Sequence, residues 1–227
     1  FYCIPLQVSV ILPVLNEVKY IPATLDAILK QKNFDNNIEI LIVDGSSTDG
    51  TIKIVENYIT QYPFIILLHN SEKFVSTGFN LALNQAKGEY IIRIDGHCEI
   101  PPNYIEECIN MFEKRDADIV GGRIETISEG IIGESIAIAQ SSWFGVGDVK
   151  FRQTDLKEGG YVNTLAFGVH KRKIFHDIGG YDEEMIRNQD DEFNFRAIQV
   201  GKKIWMTPAI KTKYYSRSSY SKLFMQY

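Results

Sequence analysis

Cysteine is scarce in this 227-residue chain, and long apolar runs are missing altogether. Cys3, Cys98 and Cys108 make an odd count with no CxxC pair, which excludes a disulfide framework and a zinc ribbon. No Asn-x-Ser/Thr sequon occurs, and both facts fit a reducing compartment. The longest purely apolar run is Phe64–Leu68, far short of the roughly 18 residues that span a bilayer. An excess of positive charge is also missing. Lys and Arg number 24 against 29 Asp and Glu, for a net charge of −5, so a dedicated nucleic-acid binder is not expected. There is no GxGxxG, GxxxxGK[ST], GxSxG or HExxH, and no Ser/His/Asp or Cys/His arrangement. Phosphate-loop ATPases, lipase-type hydrolases and zinc proteases drop out on that ground.

What is present has globular proportions, 44% apolar and 23% charged. At 227 residues one large domain is the simplest reading. The charge is uneven: residues 202–227 hold six basic and no acidic side chains, leaving −11 on the rest. The sequence opens at Phe1 without Met and closes in a basic, aromatic stretch, as a fragment of a longer chain would.

The first half alternates two periodicities. Continuous apolar runs at Val8–Leu12, Ile38–Val43, Phe64–Leu68 and Tyr90–Ile94 predict buried parallel strands. Between them, Val18–Lys32, a segment capped by Asp49 or Thr51 and running to about Gln61, and Val75–Ala86 predict helices. A helix over Asn103–Lys114 and a short strand over Asp118–Val120 follow. From Gly121 frequent glycines break the pattern, apart from a helical stretch at Ile131–Ser142, a helix at about Asp190–Val200 and a strand at Lys203–Met206. The expected fold is α/β, a mostly parallel central sheet flanked by helices, with a smaller mixed region after it.

Ligands of such sheets sit at the carboxyl ends of the strands. That points to Pro13–Glu17, to Asp44–Gly50 and to Asp95-Gly96-His97. A carboxylate and an imidazole two residues apart can face one divalent cation, Mn²⁺ more readily than Mg²⁺; Asp-Gly is equally a turn dipeptide. Asp44 stands where a nucleotide-binding fold holds a ribose or base, or it closes a turn. Asp190-Asp191-Glu192 open a helix, where the dipole favours acids; a paired acid in a cleft also suits a general base.

In order and spacing these residues resemble family 2 glycosyltransferases of the GT-A fold. The matching pieces are Val10-Ile11-Leu12-Pro13 with Asn16-Glu17, the run Ile42 to Thr51, Asn80, and Gly88-Glu89-Tyr90-Ile91 leading into Asp95-Gly96-His97. Gly179-Gly180-Tyr181-Asp182 then precedes Asn188-Gln189-Asp190-Asp191-Glu192. The Asp-x-His triplet, with Phe144–Gly147 and Arg187–Asn194, is most similar to the succinoglycan-biosynthesis type of bacterial exopolysaccharide transferases.

The resemblance implies one domain over 1–227, with a nucleotide-sugar half at 1–100 and an acceptor half at 101–227. It implies a UDP-sugar donor, and an acceptor that is a saccharide or lipid-linked. Pro13, Glu17, Asp44 and Lys73 would meet the nucleoside. Asp95 would hold ribose or metal, and His97 would coordinate Mn²⁺ or Mg²⁺. Asp190 would be the base where the family has an acid pair; here Gln189 replaces the first acid, and Asp191 is an adjacent alternative. Members of the family carry Gln-x-x-Arg-Trp or a histidine ligand downstream. Here the tail reads Tyr214-Tyr215-Ser216-Arg217, with Arg217 in reach of phosphates. The basic tail with its tyrosines suits a peripheral contact at the inner face of the cell membrane, or a solvated end of a cytoplasmic protein. A nucleotidyltransferase, or a non-catalytic binding module of the same fold, is the competing expectation.

Overall fold

The computed structural model describes residues 7–32, 37–128 and 158–215. The predicted helix at Ile131–Ser142, the Phe144–Gly147 stretch, Arg217 and the rest of the tail lie outside them. Strands β1 (Val8–Val14), β2 (Ile38–Asp44), β3 (Ile65–His69) and β4 (Tyr90–Arg93) alternate with helices α1 (Ile21–Leu29), α2 (Thr51–Gln61) and α3 (Val75–Leu83). After them come β5 (Cys98–Glu99), α4 (Tyr104–Lys114), β6 (Ile119–Ile127), β7 (Gly160–Val162), β8 (Val169–Lys171), α5 (Lys173–Ile178), α6 (Gln189–Gln199) and β9 (Ile204–Tyr215).

The described strands form one nine-stranded sheet in the order β3-β2-β1-β4-β8-β6-β9-β5, with β7 beside β9. The α/β expectation is borne out. The pairs β3/β2, β2/β1 and β1/β4 are parallel, and every residue of β2 is buried, as a strand covered by helices on both faces requires. Beyond β4 the sheet is mixed: β8 runs antiparallel to β4 and β6, while β6 and β9 are parallel. The chain order reverses where β1 lies between β2 and β4. At such a reversal the connections leave in opposite directions, and the ligand crevice is expected at the carboxyl ends of these strands. Among the described residues no helix is long and apolar enough to cross a membrane.

Two expectations about elements need correction. Helix α1 starts at Ile21 rather than Val18. The N–H groups of Glu17 and Val18 are taken by Thr51 Oγ1 (2.8 Å) and Asp49 (3.0 Å), so the chain turns first, and a proline then opens the helix. The strand expected over Asp118–Val120 runs on to Ile127, straight through Gly121 and Gly122. These glycines do not break it; they make room. A Cβ on Gly121 would stand 2.7 Å from Leu165 Cδ2, and one on Gly122 2.5 Å from the carbonyl oxygen of Ile210. Likewise β9 continues from Met206 to Tyr215, its register against β6 shifting between Gly121 and Arg123. Pro208 falls in the extra length of β9 at that shift, where a missing N–H costs no ladder bond.

Candidate active site

The loops after β1 and β2 clasp each other. Asn16 N–H donates to Ser47 Oγ (2.9 Å), and Thr48 N–H donates to Asn16 Oδ1 (2.8 Å). The Asp44 carboxylate accepts from the N–H groups of Ser46 (2.9 Å) and Ser47 (3.1 Å), so the turn-closing role is real. Slight desolvation pushes the Asp49 carboxyl up, but hydrogen bonds from Thr51 and Val18 outweigh it and hold the group below the usual range.

A pocket of about 220 Å³ opens at the carboxyl ends of β1, β2 and β4. Pro13, Glu17, Lys73, Asp95 and His97 all line it, so five of the expected residues come together. Val43 and Gly45 line it too, while Asp44 does not. Asn70 is a member that sequence reasoning missed. Its side chain bonds Phe74 O (2.8 Å), Thr77 Oγ1 (3.2 Å) and Glu72 N–H (3.2 Å), and so shapes the loop that carries Lys73.

Asp95 and His97 follow β4. Asp95 Oδ1 takes both Nε (3.0 Å) and Nη2 (2.8 Å) of Arg93, whose side chain is largely buried. His97 Nδ1 meets Glu17 Oε1 at 2.9 Å, and the Tyr214 ring packs edge-on to the imidazole at 4.9 Å. One carboxylate oxygen and one ring nitrogen are left, a donor set that suits Mn²⁺ or Mg²⁺ if phosphate oxygens and water complete the shell. Among the described residues no group of three or more His, Cys, Asp and Glu is placed to hold a metal ion.

A second cavity of about 710 Å³ lies on the other side of Asp95, which lines both. Arg93, Thr164, Tyr181, Arg187, Asp190, Asp191 and Asn194 line it. Burial pushes the Asp190 carboxyl up; the Arg93 charge opposes that, and Asp191 and Asp95 add to it. Asp191 has a fixed partner in the Thr164 hydroxyl. Asn194 Nδ2 donates to that same Oγ1 (3.1 Å) and to Leu165 O (3.1 Å). Because Thr164 receives from Asn194, its own proton goes to Asp191. Gln189, where the resemblance expects an acid, is buried and opens α6. Sequence reasoning missed Arg93, though a charge inside the buried run Tyr90–Ile94 was the available signal, since a buried charge calls for a partner.

The non-glycine residues at positive φ among those described are Asn16, Ser46, Lys73, Phe167 and Asn188. Lys73 lines the first pocket, Phe167 and Asn188 line the second, and Asn16 and Ser46 belong to the clasp. Backbone strain of this kind gathers at binding and catalytic sites.

A crevice at a strand-order reversal is where open α/β sheets bind their ligands, and here carboxylates stand at its mouth. The chain belongs to glycosyl transferase family 2, whose family model matches residues 9–179. It is 31% identical over 220 residues to the succinoglycan biosynthesis protein ExoA of Rhizobium meliloti (strain 1021), covering 96% of this chain and 66% of that protein. Many solved structures share the fold. S. aureus TarS 1–349 in complex with UDP-GlcNAc superposes with a TM-score of 0.73 at 21% identity, covering 94% of this chain and 59% of that one. The mannosyltransferase PcManGT of Pyrobaculum calidifontis, in complex with GDP-Man and Mn²⁺, gives 0.68 at 18% identity, covering 91% and 56%. The chain thus spans about two thirds of the length of ExoA and less of the two structures.

Proposed function

We propose that the protein is an inverting glycosyltransferase that moves a sugar from a UDP-sugar to a saccharide or lipid-linked acceptor in the synthesis of a cell-surface or extracellular polysaccharide. One observation carries the reading: Asp95 lines both the pocket at the carboxyl ends of β1, β2 and β4 and the cavity that holds Asp190. A donor in the first places its anomeric carbon at Asp95, and an acceptor hydroxyl in the second reaches Asp190. The similarity to ExoA supports the polysaccharide role, and the nucleotide sugars in the two neighbours support the donor class.

Pro13 and Lys73 line the nucleoside end. Asp44 acts on it through the Ser46–Ser47 backbone that it holds. Asp95 and His97 would hold Mn²⁺ or Mg²⁺, which when bound neutralises the charge of the departing diphosphate. Asp190 takes the proton of the acceptor hydroxyl, which attacks in line and inverts the anomeric centre. General-base help of this kind contributes about 10²–10⁴ in rate. A carboxyl raised by burial is suited to the task. Asp191, tied to Thr164, positions that wall of the cavity. Arg217 would add a cation toward the phosphates, and the basic aromatic tail would rest on the inner face of the membrane, near a lipid-linked acceptor.

Calorimetric titration of UDP with Mn²⁺, repeated with EDTA, tests the donor site, and a screen of UDP-sugars against acceptors tests transfer. Metal-dependent UDP binding followed by transfer supports the proposal. No UDP binding in either condition overturns the donor assignment. Pyrophosphate release from UTP and a sugar phosphate would make the protein a nucleotidyltransferase. Nucleotide binding with no transfer to any acceptor would make it a binding module.

A further inference from the structure

We propose that Glu17 is the positioning residue for His97, and that Gly96 is glycine so that the Glu17 stem can reach it. The inference rests on the reading of His97 as a metal ligand and adds to it. The resemblance assigns Glu17 to the nucleoside pocket, whereas its carboxylate is spent elsewhere. The Glu17 side chain is 7% exposed, and Oε1 lies 2.9 Å from His97 Nδ1. A carboxylate only accepts, so Nδ1 carries a proton, and in the neutral ring Nε2 is then the nitrogen with the lone pair. That is the tautomer a metal-binding imidazole needs, fixed by the bond its other nitrogen makes.

Gly96 supplies an independent observation. Its φ lies outside the left-handed region, so backbone conformation does not demand glycine there. Space does: a Cβ would stand 2.8 Å from Glu17 Cγ, 3.3 Å from Glu17 Cβ and 3.2 Å from Val14 Cγ1. The Glu17 stem runs across the face of Gly96 on its way to the imidazole. The segment is held from outside as well. Thr24 Oγ1 donates to Gly96 O (3.0 Å), Tyr215 N–H donates to His97 O (3.1 Å), and the Tyr214 ring closes on the imidazole. Asp-Gly-His is therefore one part of a four-residue device whose remaining member, Glu17, lies 80 positions before His97. An imidazole brings no charge to a cation, and Glu17 places a carboxylate directly behind it.

Two measurements test this. Long-range ¹H–¹⁵N correlation spectra of the metal-free protein read the His97 tautomer. The expected result is a protonated Nδ1 in the parent chain and a shift toward protonated Nε2 in Glu17→Ala and in Gly96→Ala. Binding of Mn²⁺ in the presence of UDP, followed by the electron paramagnetic resonance of the free ion, reads the metal. It should weaken about 10–100-fold in Glu17→Ala and Gly96→Ala, and less in Glu17→Gln, which keeps an acceptor. Far-ultraviolet circular dichroism and a single cooperative urea transition serve as the control for folding in all three variants. An unchanged tautomer, or full Mn²⁺ affinity in Glu17→Ala while His97→Ala loses it, overturns the role of Glu17 and leaves the metal reading standing. Full Mn²⁺ affinity in His97→Ala overturns both.

Discussion

Asp95 and Asp190 line one cavity from different elements, the end of β4 and the first turn of α6, and the Arg93 guanidinium acts on both carboxylates. Arg93 holds Asp95 by two contacts to one oxygen, leaving the other oxygen for a ligand. Its charge partly offsets the burial that raises Asp190. On the proposed assignment, a carboxylate for donor or metal and a carboxylate for a proton are kept apart in role by one cation.

Asp190→Asn removes the proposed base while keeping shape. Turnover should fall by about 10²–10⁴, with UDP binding unchanged by calorimetry. Asp191→Asn still accepts from Thr164, so it should lose far less. Equal losses in the two variants would move the base assignment off Asp190.

The raised Asp190 carboxyl also sets a pH dependence. In the unfolded chain the group titrates at its ordinary value, and in the folded protein it titrates higher. Between those values the folded state holds more protons, so this group's contribution to stability falls as pH rises through that window. At neutral pH the buried charge is a cost, and Asp190→Asn should unfold at higher urea than the parent chain. Below the unfolded-state value the difference should vanish. Urea titrations at neutral and acid pH check the sign. The rate of transfer should in turn fall on the acid side, with a midpoint above the ordinary carboxylate value.

The strands β1 to β4 were legible because a buried parallel strand writes itself as an apolar run, and Pro13, Glu17, Lys73, Asp95 and His97 do meet in one pocket as the strand-end rule requires. Beyond β4 the helices α4 and α6 were legible, but the short strands were not, for a physical reason. β7 and β8 have three residues each and β5 two, too short for any periodicity. Gly121 and Gly122 read as breakers because their purpose, close approach by Leu165 and Ile210, depends on residues more than 40 positions away. The same holds for the pairing of Glu17 with His97 and of Thr164 with Asp191, which only the sheet order brings about.

Asn80 ties the two sides together. Its Nδ2 donates to Tyr181 O (2.8 Å) and to Glu183 Oε1 (2.9 Å), and its Oδ1 accepts from Tyr181 N–H (2.8 Å). That pins α3 to the loop ahead of α6. Tyr181, buried and stacked on Phe79 at 4.1 Å, has its backbone satisfied only by this side chain among the bonds described. Asn80→Ala should cost about 1–3 kcal/mol by urea unfolding, and transfer should suffer more than UDP binding, since it is the Asp190 side that is released.

Arg93→Met keeps the apolar stem and removes the charge. Asp95 and Asp190 are then left in one cavity without their cation, and the guanidinium's stacking partner Tyr181, 5.9 Å away, loses its contact. Breaking a buried pair from one side costs about 3–5 kcal/mol; the 13% exposure of Arg93 places this case toward the lower figure. Arg93→Lys restores charge but not the two-nitrogen grip on Asp95 Oδ1, so it should recover stability better than turnover. Urea unfolding beside steady-state kinetics separates the two. If Arg93→Lys regains both in full, the guanidinium serves as a counter-charge alone, and its geometry has no part in setting Asp95.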